Sequence, residues 1–237
     1  MHRYGIASGS EARLTGLFSK RQLLGMGAAT LLLIALAIVA VVWLRGQMNR
    51  PLWTADSGPV EVVVGRDVFS IPANMIRFAG QRRNGNAQRV DVALLWPHGD
   101  GYSPAKREAF LNAGADRKVV FAHIEPRTMP HDMSARLEPL YSTLVSGEPR
   151  SGPGGLMLQS LETGRGYEDE ELALARTGTG GAAWVARCQL ADGKTVPICL
   201  RDIHIASGTS LTYRFPRAML ADWQALEKMV LDQIGEW

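Results

Sequence analysis

The chain has 237 residues, of which 46% are hydrophobic and 21% are charged, with 25 Gly and 12 Pro. This length allows one globular domain with an accessory segment, and the composition excludes a disordered or collagen-like chain. The net charge of +3 belongs to one end, because residues 1–22 hold four Lys or Arg against one Glu and the remainder sums to zero. Binding to phosphates needs a net positive face, so we expect no nucleic-acid partner.

Residues 23–44, LLGMGAATLLLIALAIVAVVWL, form a run of 22 residues without a charge or a proline. As a helix rising about 1.5 Å per residue, this run extends roughly 33 Å, which is enough to cross a hydrocarbon core about 30 Å thick. A helix is required there because lipid offers no partner for backbone N–H and C=O groups. The run therefore predicts a single transmembrane helix in contact with the lipid bilayer.

Two other interpretations of this run stay open. Ala35-Leu36-Ala37 has the small-x-small form that a signal peptidase accepts, so the segment is alternatively a cleaved signal peptide. The apolar run continues for seven residues past Ala37, which favours an uncleaved anchor. A buried helix of a soluble domain is disfavoured because every face of the run is apolar.

The charges that flank the run indicate its orientation. Four Lys or Arg precede it, whereas Arg45 and Arg50 are the only ones in the 20 residues after it. Positive charge resists translocation, so the N-terminus is predicted to be cytoplasmic. The chain also has no Asn-x-Ser/Thr acceptor, and its 21 Arg outnumber its 5 Lys. Together these features favour the inner membrane of a bacterium, with the C-terminal domain in the periplasm.

The resulting organisation has four parts. They are a cytoplasmic tail over 1–22, the transmembrane helix over 23–44, a polar linker over 45–59 and a periplasmic domain over 60–237. Within the helix, Gly25 and Ala29 are four residues apart, and small residues at this spacing let a second helix approach closely. The pair predicts a weak helix-packing site, although small residues are common in membrane helices in any case.

The domain is predicted to be α+β, with a mainly antiparallel C-terminal sheet and a closing C-terminal helix. Alternating apolar residues and turn signals predict the strands, which lie near 60–64, 67–71, 89–96, 118–125, 156–162, 183–190, 196–205 and 210–215. Apolar residues with helical spacing predict the helices, which lie near 104–113, 134–146 and 217–235. Residues 81–88 are too polar to be buried and predict a surface loop, and a Gly, Pro and Ser cluster over 147–155 predicts a break in the chain.

Cys188 and Cys199 are the only cysteines, and they lie on two predicted strands. A two-residue type II′ turn at Gly193-Lys194 places them directly opposite each other, at a distance that a disulfide accepts. A type I′ turn at Asp192-Gly193 would instead shift the partners diagonally. In an exported domain the pairing predicts a structural disulfide, whereas a cytosolic protein would hold two free thiols.

The common catalytic motifs are absent from the sequence, which lacks G-x-S-x-G, H-E-x-x-H, G-x-x-x-x-G-K-[ST] and G-x-G-x-x-G at a helix start. The stretch Gly178-Thr179-Gly180-Gly181 precedes a strand, so it is interpreted as a flexible turn. The carboxylate run 168–171 lacks the alternating ligands of a calcium site and is interpreted as a solvated surface or a helix start. We therefore predict no catalytic residues, no metal and no cofactor.

The loop that follows the predicted strand 89–96 is the sharpest candidate for a ligand or partner site. Trp96, His98, Asp100 and Tyr102 combine an imidazole, a carboxylate and two aromatic rings, and loops at strand ends often carry sites. An ordinary Gly and Asp turn explains the same residues. His131 would complete an acid–base pair or metal site if folding brought it to this loop.

Two functions remain open at this stage. The anchor, the linker and the missing motifs favour a non-enzymatic accessory, assembly or scaffold subunit that binds another envelope membrane protein. The alternative is a membrane-anchored periplasmic enzyme, or a protein that binds a small ligand or metal, centred on the loop 96–102. A deep pocket joining His98, Asp100 and His131 would favour the alternative, whereas a shallow exposed surface would favour the first.

Overall fold

The computed structural model describes residues 20–48, 53–162, 164–167, 169–176 and 183–237. The chain divides into two compact units, Met1–Arg50 and Pro51–Trp237. In the first unit, helix α1 covers Lys20–Met48, which confirms a helix over 23–44. None of the helices in the described part of the chain has the length and apolar character of a membrane span. Residues 1–19 of the predicted tail lie outside the described residues, as do residues 49–52 of the predicted linker.

The second unit contains eleven strands and two further α-helices among its described residues. The strands are β1 Pro59–Val64, β2 Asp67–Pro72, β3 Gly85–Ala87, β4 Val90–Leu95, β5 Val119–Pro126, β6 Val145–Ser151, β7 Met157–Leu161, β8 Glu170–Ala175, β9 Trp184–Gln189, β10 Ile198–Ile205 and β11 Thr209–Pro216. The helices are α2 Arg107–Leu111 and α3 Trp223–Gly235. Short 3-10 turns over Pro104–Lys106 and Arg217–Asp222 lead into them.

The strands form two sheets. The smaller has the order β2-β1-β3, in which β1 is antiparallel to β2 and parallel to β3. The larger is antiparallel throughout, with the order β4-β5-β11-β10-β9-β8-β7-β6. The predicted α+β class and the closing helix are therefore confirmed. The large sheet also takes β4 and β5 from the first half of the chain, so it is not confined to the C-terminal half as predicted.

The main core lies on one face of the large sheet, which we call the inner face. Strict alternation in β10 buries Cys199, Arg201, Ile203 and Ile205 on this side, as the two-residue period of a strand requires. The inner face shares one apolar cluster with α3 and with β1 and β2 of the small sheet. Burial of these side chains holds the closing helix and the small sheet against the same surface.

Among the described residues, two apolar clusters pack on the opposite face of the large sheet, one at each flank. Over β8 and β9, the irregular segment 128–144 packs Met133, Leu137 and Tyr141 onto Leu172 and Val185. Over β4 and β5, a second cluster forms around Phe110 and includes Ala93 and Val119. The middle of this face, on β5, β11 and β10, lies between the two clusters.

Several predicted elements are wrong or shifted. The helix predicted over 134–146 is a series of turns with a 3-10 turn at Tyr141–Thr143, although Leu137, Tyr141 and Leu144 do share a buried face as predicted. A series of turns can also place every third or fourth residue on one side, and it then buries the same side chains as a helix does. The apolar periodicity therefore did not distinguish a helix from a series of turns. The helix predicted over 104–113 ends at Leu111.

Three strands, β3, β6 and β8, were not predicted at all. Part of the expected break over 147–155 is β6, an exposed edge strand whose residues Val145–Ser151 lack an apolar alternation. The carboxylate run expected at the surface enters β8, where Glu171 is fully buried; Glu168 lies outside the described residues. The expected surface loop 81–88 contains the short strand β3, which pairs with β1 through backbone bonds and needs no apolar side chains.

Candidate functional site

The predicted loop 96–102 does not form one site. Trp96 packs against the inner-face core, and Tyr102 lies in an aromatic group with Trp53 at 5.9 Å and Phe110 at 5.5 Å between ring centroids. Trp53, which we assigned to the linker, thus belongs to the packed domain. The two polar residues of the loop are accessible to solvent. His98 is exposed, and Asp100 forms a half-exposed ion pair with Lys106 at 2.8 Å.

His131 lies far from this loop. The loop follows Leu95, which pairs with Val119 at the start of β5, whereas His131 follows Pro126 at the end of that strand. Seven steps of about 3.3 Å separate the two ends of β5 by roughly 23 Å. His98, Asp100 and His131 are therefore not brought together. Within the described ranges, no group of three or more His, Cys, Asp or Glu residues is arranged to hold a metal ion.

The disulfide between Cys188 and Cys199 is confirmed. The two residues are directly opposed in the β9–β10 ladder with Cα atoms 4.0 Å apart, and both are buried on the inner face. The predicted two-residue turn is wrong, because residues 190–197 form a longer loop. Asp192 organises that loop by accepting hydrogen bonds at Oδ1 from the backbone N–H groups of Lys194 and Thr195.

The middle of the large sheet, on the face opposite the inner face, is the candidate binding surface, and we call it the open face; its residues range from the exposed Arg214 to His123, which is 6% exposed. It is formed by alternate residues of three adjacent strands. They are Phe121, His123 and Glu125 of β5, Ser210, Thr212 and Arg214 of β11, and Asp202 and His204 of β10. The register aligns them in rows across the strands, because Thr212 pairs with both His123 and Asp202, and Ser210 pairs with both Glu125 and His204.

A small polar cleft opens at one end of this face. Its volume is about 170 Å³, below the range of about 300–1,000 Å³ that is usual for sites of drug-sized ligands. The lining residues come from the open face and from the segment beyond β5, and they are Glu125, Thr128, Met129, Arg136, Asp202, His204, Ser210 and Thr212. Met129 is 50% exposed at its rim. The cleft is large enough for a single side chain of a partner and is smaller than the usual site of a drug-sized ligand.

The charges around the cleft are partly compensated. Asp202 forms an ion pair with Arg136, although burial raises the pKa of the Asp202 carboxyl above its usual range. Burial of His123, together with the positive charge of Arg89, lowers the pKa of that imidazole. The carboxylate of Glu125 lies 3.8 Å from His123 Nε2 and acts in the opposite direction. These surroundings therefore favour the uncharged form of His123.

Two carboxylates outside the open face hold the fold together, and of these Glu171 is fully buried and the Glu227 side chain is 16% exposed. Glu227 of α3 accepts hydrogen bonds from Trp184, Arg201 and Tyr213. Glu171 of β8 is paired with Arg150 and Arg217. All the charged groups of these clusters are satisfied within the domain, so we assign them a structural role.

Sequence reasoning missed the open face. A signal was present in β10, where Asp202 and His204 alternate with Ile203 and Ile205 and so predict a strand with one polar side. The sequence did not indicate that β10 lies two strands from β5, because β5 and β11 are separated by more than eighty residues along the chain. Without that strand order, the three polar rows could not be placed on one surface.

No known protein family and no curated protein sequence matches the chain. Among solved structures, the fold is similar to that of an immunity protein of the Stenotrophomonas maltophilia type IV secretion system, with a TM-score of 0.53 and 18% identity over 76% of this chain and 92% of that one. The iron-regulated outer membrane lipoprotein FrpD of Neisseria meningitidis gives a TM-score of 0.36 and 9% identity over 79% of this chain and 97% of that one. The first similarity shows a shared fold.

Proposed function

We propose that this chain is a non-enzymatic binding protein of the bacterial envelope, whose domain docks and blocks a protein toxin through the open face. The single observation that carries this proposal is the fold shared with a bacterial immunity protein, whose name denotes protection against a toxin. The open face supports it, since polar side chains of three strands lie there between two apolar clusters. The cleft on it is smaller than the usual site of a drug-sized ligand.

The proposed location is the periplasmic side of the inner membrane. A buried disulfide between adjacent strands favours an oxidising compartment. The apolar run 23–44 favours an uncleaved anchor, and the charges that precede it favour a cytoplasmic N-terminus.

Alkaline phosphatase, which is active only after export, tests this topology when fused behind Trp237. We expect an active fusion that sediments with membranes and resists carbonate extraction. A soluble, shortened product would support the cleaved signal peptide instead. An inactive fusion would contradict the periplasmic location.

Site-specific photo-crosslinking in the producing bacterium tests the binding role. A crosslinking amino acid replaces Thr212 on the open face, and the matched control replaces Leu231, which is 45% exposed on α3. We expect a discrete protein adduct from position 212 and none from position 231. If the crosslinked partner is a toxin, we expect the purified chain to abolish the toxic activity of that partner when the two are mixed. Absence of an adduct at 212, or an adduct that is equally strong at 231, would contradict the proposal.

A further inference from the structure

One arginine at the edge of the open face is held between aromatic rings. The guanidinium carbon of Arg77 lies 4.5 Å from the ring centroid of Phe121 and 5.0 Å from that of Phe78. The backbone N–H of Arg77 donates a hydrogen bond to the backbone carbonyl of Asp91 at 2.8 Å. This bond holds the backbone at Arg77 against β4. Arg77 Nε is buried and has no hydrogen-bond partner in the described part of the chain. The aromatic contacts thus orient this cation without neutralising it.

A second arginine flanks the same ring. Arg214 of β11 is the direct register partner of Phe121 of β5, so both side chains point to the open face at a Cα separation of about 4.5–5.5 Å. Arg214 is exposed. Within the described ranges, neither Arg77 nor Arg214 forms an ion pair. We call Arg77, Phe78, Phe121 and Arg214 the arginine–phenylalanine patch.

A carboxylate near the patch is already paired with other residues. The nearby carboxylate of Asp91 is already engaged by Arg89 at 2.6 Å and by Gln81 at 3.0 Å. The arginines of the patch therefore retain their charge for an external group.

We propose that the arginine–phenylalanine patch docks Asp or Glu side chains of the partner protein; this rests on the proposed function. A guanidinium pairs with a carboxylate through two parallel hydrogen bonds, and a pre-oriented arginine loses less freedom on binding than a mobile one. Arginine and aromatic residues dominate the energetic centres of protein interfaces. Phe78 is 40% exposed and supplies apolar contact beside the charge.

An acidic protein surface fits the patch better than a nucleic acid does. Residues 23–237 contain equal numbers of basic and acidic side chains, 22 of each, so the domain lacks the general positive charge that attracts a phosphate backbone. A local pair of guanidinium groups in a neutral domain instead matches a few carboxylates on a protein surface.

Binding of immobilised hexaglutamate to the full-length protein in a neutral detergent tests this proposal. The variant Arg214→Glu reverses one charge of the patch, and Arg77→Gln removes the other. Arg66→Glu, on the exposed turn between β1 and β2, makes the same charge change away from the patch. We expect the dissociation constant to rise at least about tenfold for Arg214→Glu and for Arg77→Gln, and to stay unchanged for Arg66→Glu.

Three outcomes would overturn the proposal. They are no binding of hexaglutamate by the wild-type protein, an equal loss in Arg66→Glu, and tighter binding of a single-stranded hexanucleotide than of hexaglutamate. Far-ultraviolet circular dichroism of each variant establishes that it is folded.

The Thr212 crosslinking experiment separates this inference from the proposed function. If the crosslinked partner binds Arg214→Glu as tightly as wild type, the binding function stands and the acidic contact is wrong. If hexaglutamate binding depends on the patch but no partner crosslinks at 212, the patch stands and the proposed function fails.

Discussion

Arg201 of β10 and Glu227 of α3 form a bidentate ion pair across the main core, with Nη2–Oε1 and Nε–Oε2 distances of 3.0 Å. The Arg201 side chain is only 7% exposed and that of Glu227 16%. Trp184 of β9 and Tyr213 of β11 donate hydrogen bonds to the same carboxylate. One acidic residue therefore ties the closing helix to three adjacent strands.

Replacement of Glu227 by Ala should strongly destabilise the domain. Arg201 would remain buried without its counter-charge, and breaking a buried pair from one side typically costs about 3–5 kcal/mol. The measurement is the free energy of unfolding from urea denaturation. Asp232→Ala is the control, since it breaks the exposed Lys228–Asp232 pair on the same helix and should cost less than about 0.5 kcal/mol. Similar losses for the two variants would contradict the structural role of Glu227.

Loss of the disulfide should destabilise the domain without changing its fold. Cys188 and Cys199 are 11 residues apart in sequence, and closing a loop of this size is worth about 2–3 kcal/mol. Replacement of both by Ser should lower the free energy of unfolding by this amount. Alkylation of the unfolded wild-type protein should detect thiols only after reduction, and free thiols without reduction would refute the bridge.

His123 should make stability depend on pH. Burial and the charge of Arg89 hold the pKa of the folded-state imidazole below its ordinary value of 6.5. Between these two pKa values the unfolded chain binds more protons than the folded one, so the free energy of unfolding falls as the pH is lowered through this window. One histidine contributes at most about 1.4 kcal/mol per pH unit.

The variant His123→Gln tests this dependence. We expect a flatter decline in the free energy of unfolding than in wild type as the pH is lowered below 6.5, the ordinary pKa of the imidazole. His98→Gln is the control for the loss of one exposed imidazole. An unchanged decline in His123→Gln would show that other groups cause it.

Asp67 should anchor the small sheet to the large one. Its carboxylate accepts hydrogen bonds from Ser207 Oγ at 2.9 Å, Thr209 Oγ1 at 3.0 Å and Gly208 N at 3.2 Å. Burial alone would raise the pKa of Asp67, but these hydrogen bonds outweigh it and lower that pKa. We expect Asp67→Ala to reduce the free energy of unfolding by about 1–2 kcal/mol in urea denaturation. Glu61→Ala, at an exposed position of β1, should change it by less than about 0.5 kcal/mol.

Local patterns predicted several elements correctly. Apolar residues and turn signals located β9 and β10. The opposed pairing of Cys188 and Cys199 was predicted from a two-residue turn; the pairing is present, but a longer loop connects the strands. The apolar spacing of Leu226, Met229 and Val230 likewise located α3.

Other elements gave misleading local signals. Strand β6 is an exposed edge whose sequence VSGEPRS resembles a loop, because backbone pairing with β7 holds it without apolar side chains. Glu171 resembled a surface carboxylate because the residues that satisfy it, Arg150 and Arg217, are distant in sequence. Burial of a charge depends on such partners, and a local window does not contain them.

The sequence by itself determined the apolar run, the α+β class, the disulfide pairing and the closing helix, since each depends on residues that are close along the chain or on hydrophobic period. Only the tertiary structure decided where the polar surface lies. It brings β5 beside β11, so that polar residues of β5, β11 and β10 lie together on one face of the large sheet. The physical reason is that strand pairing is made by backbone groups common to all residues, so long-range partners are selected by packing of the whole core.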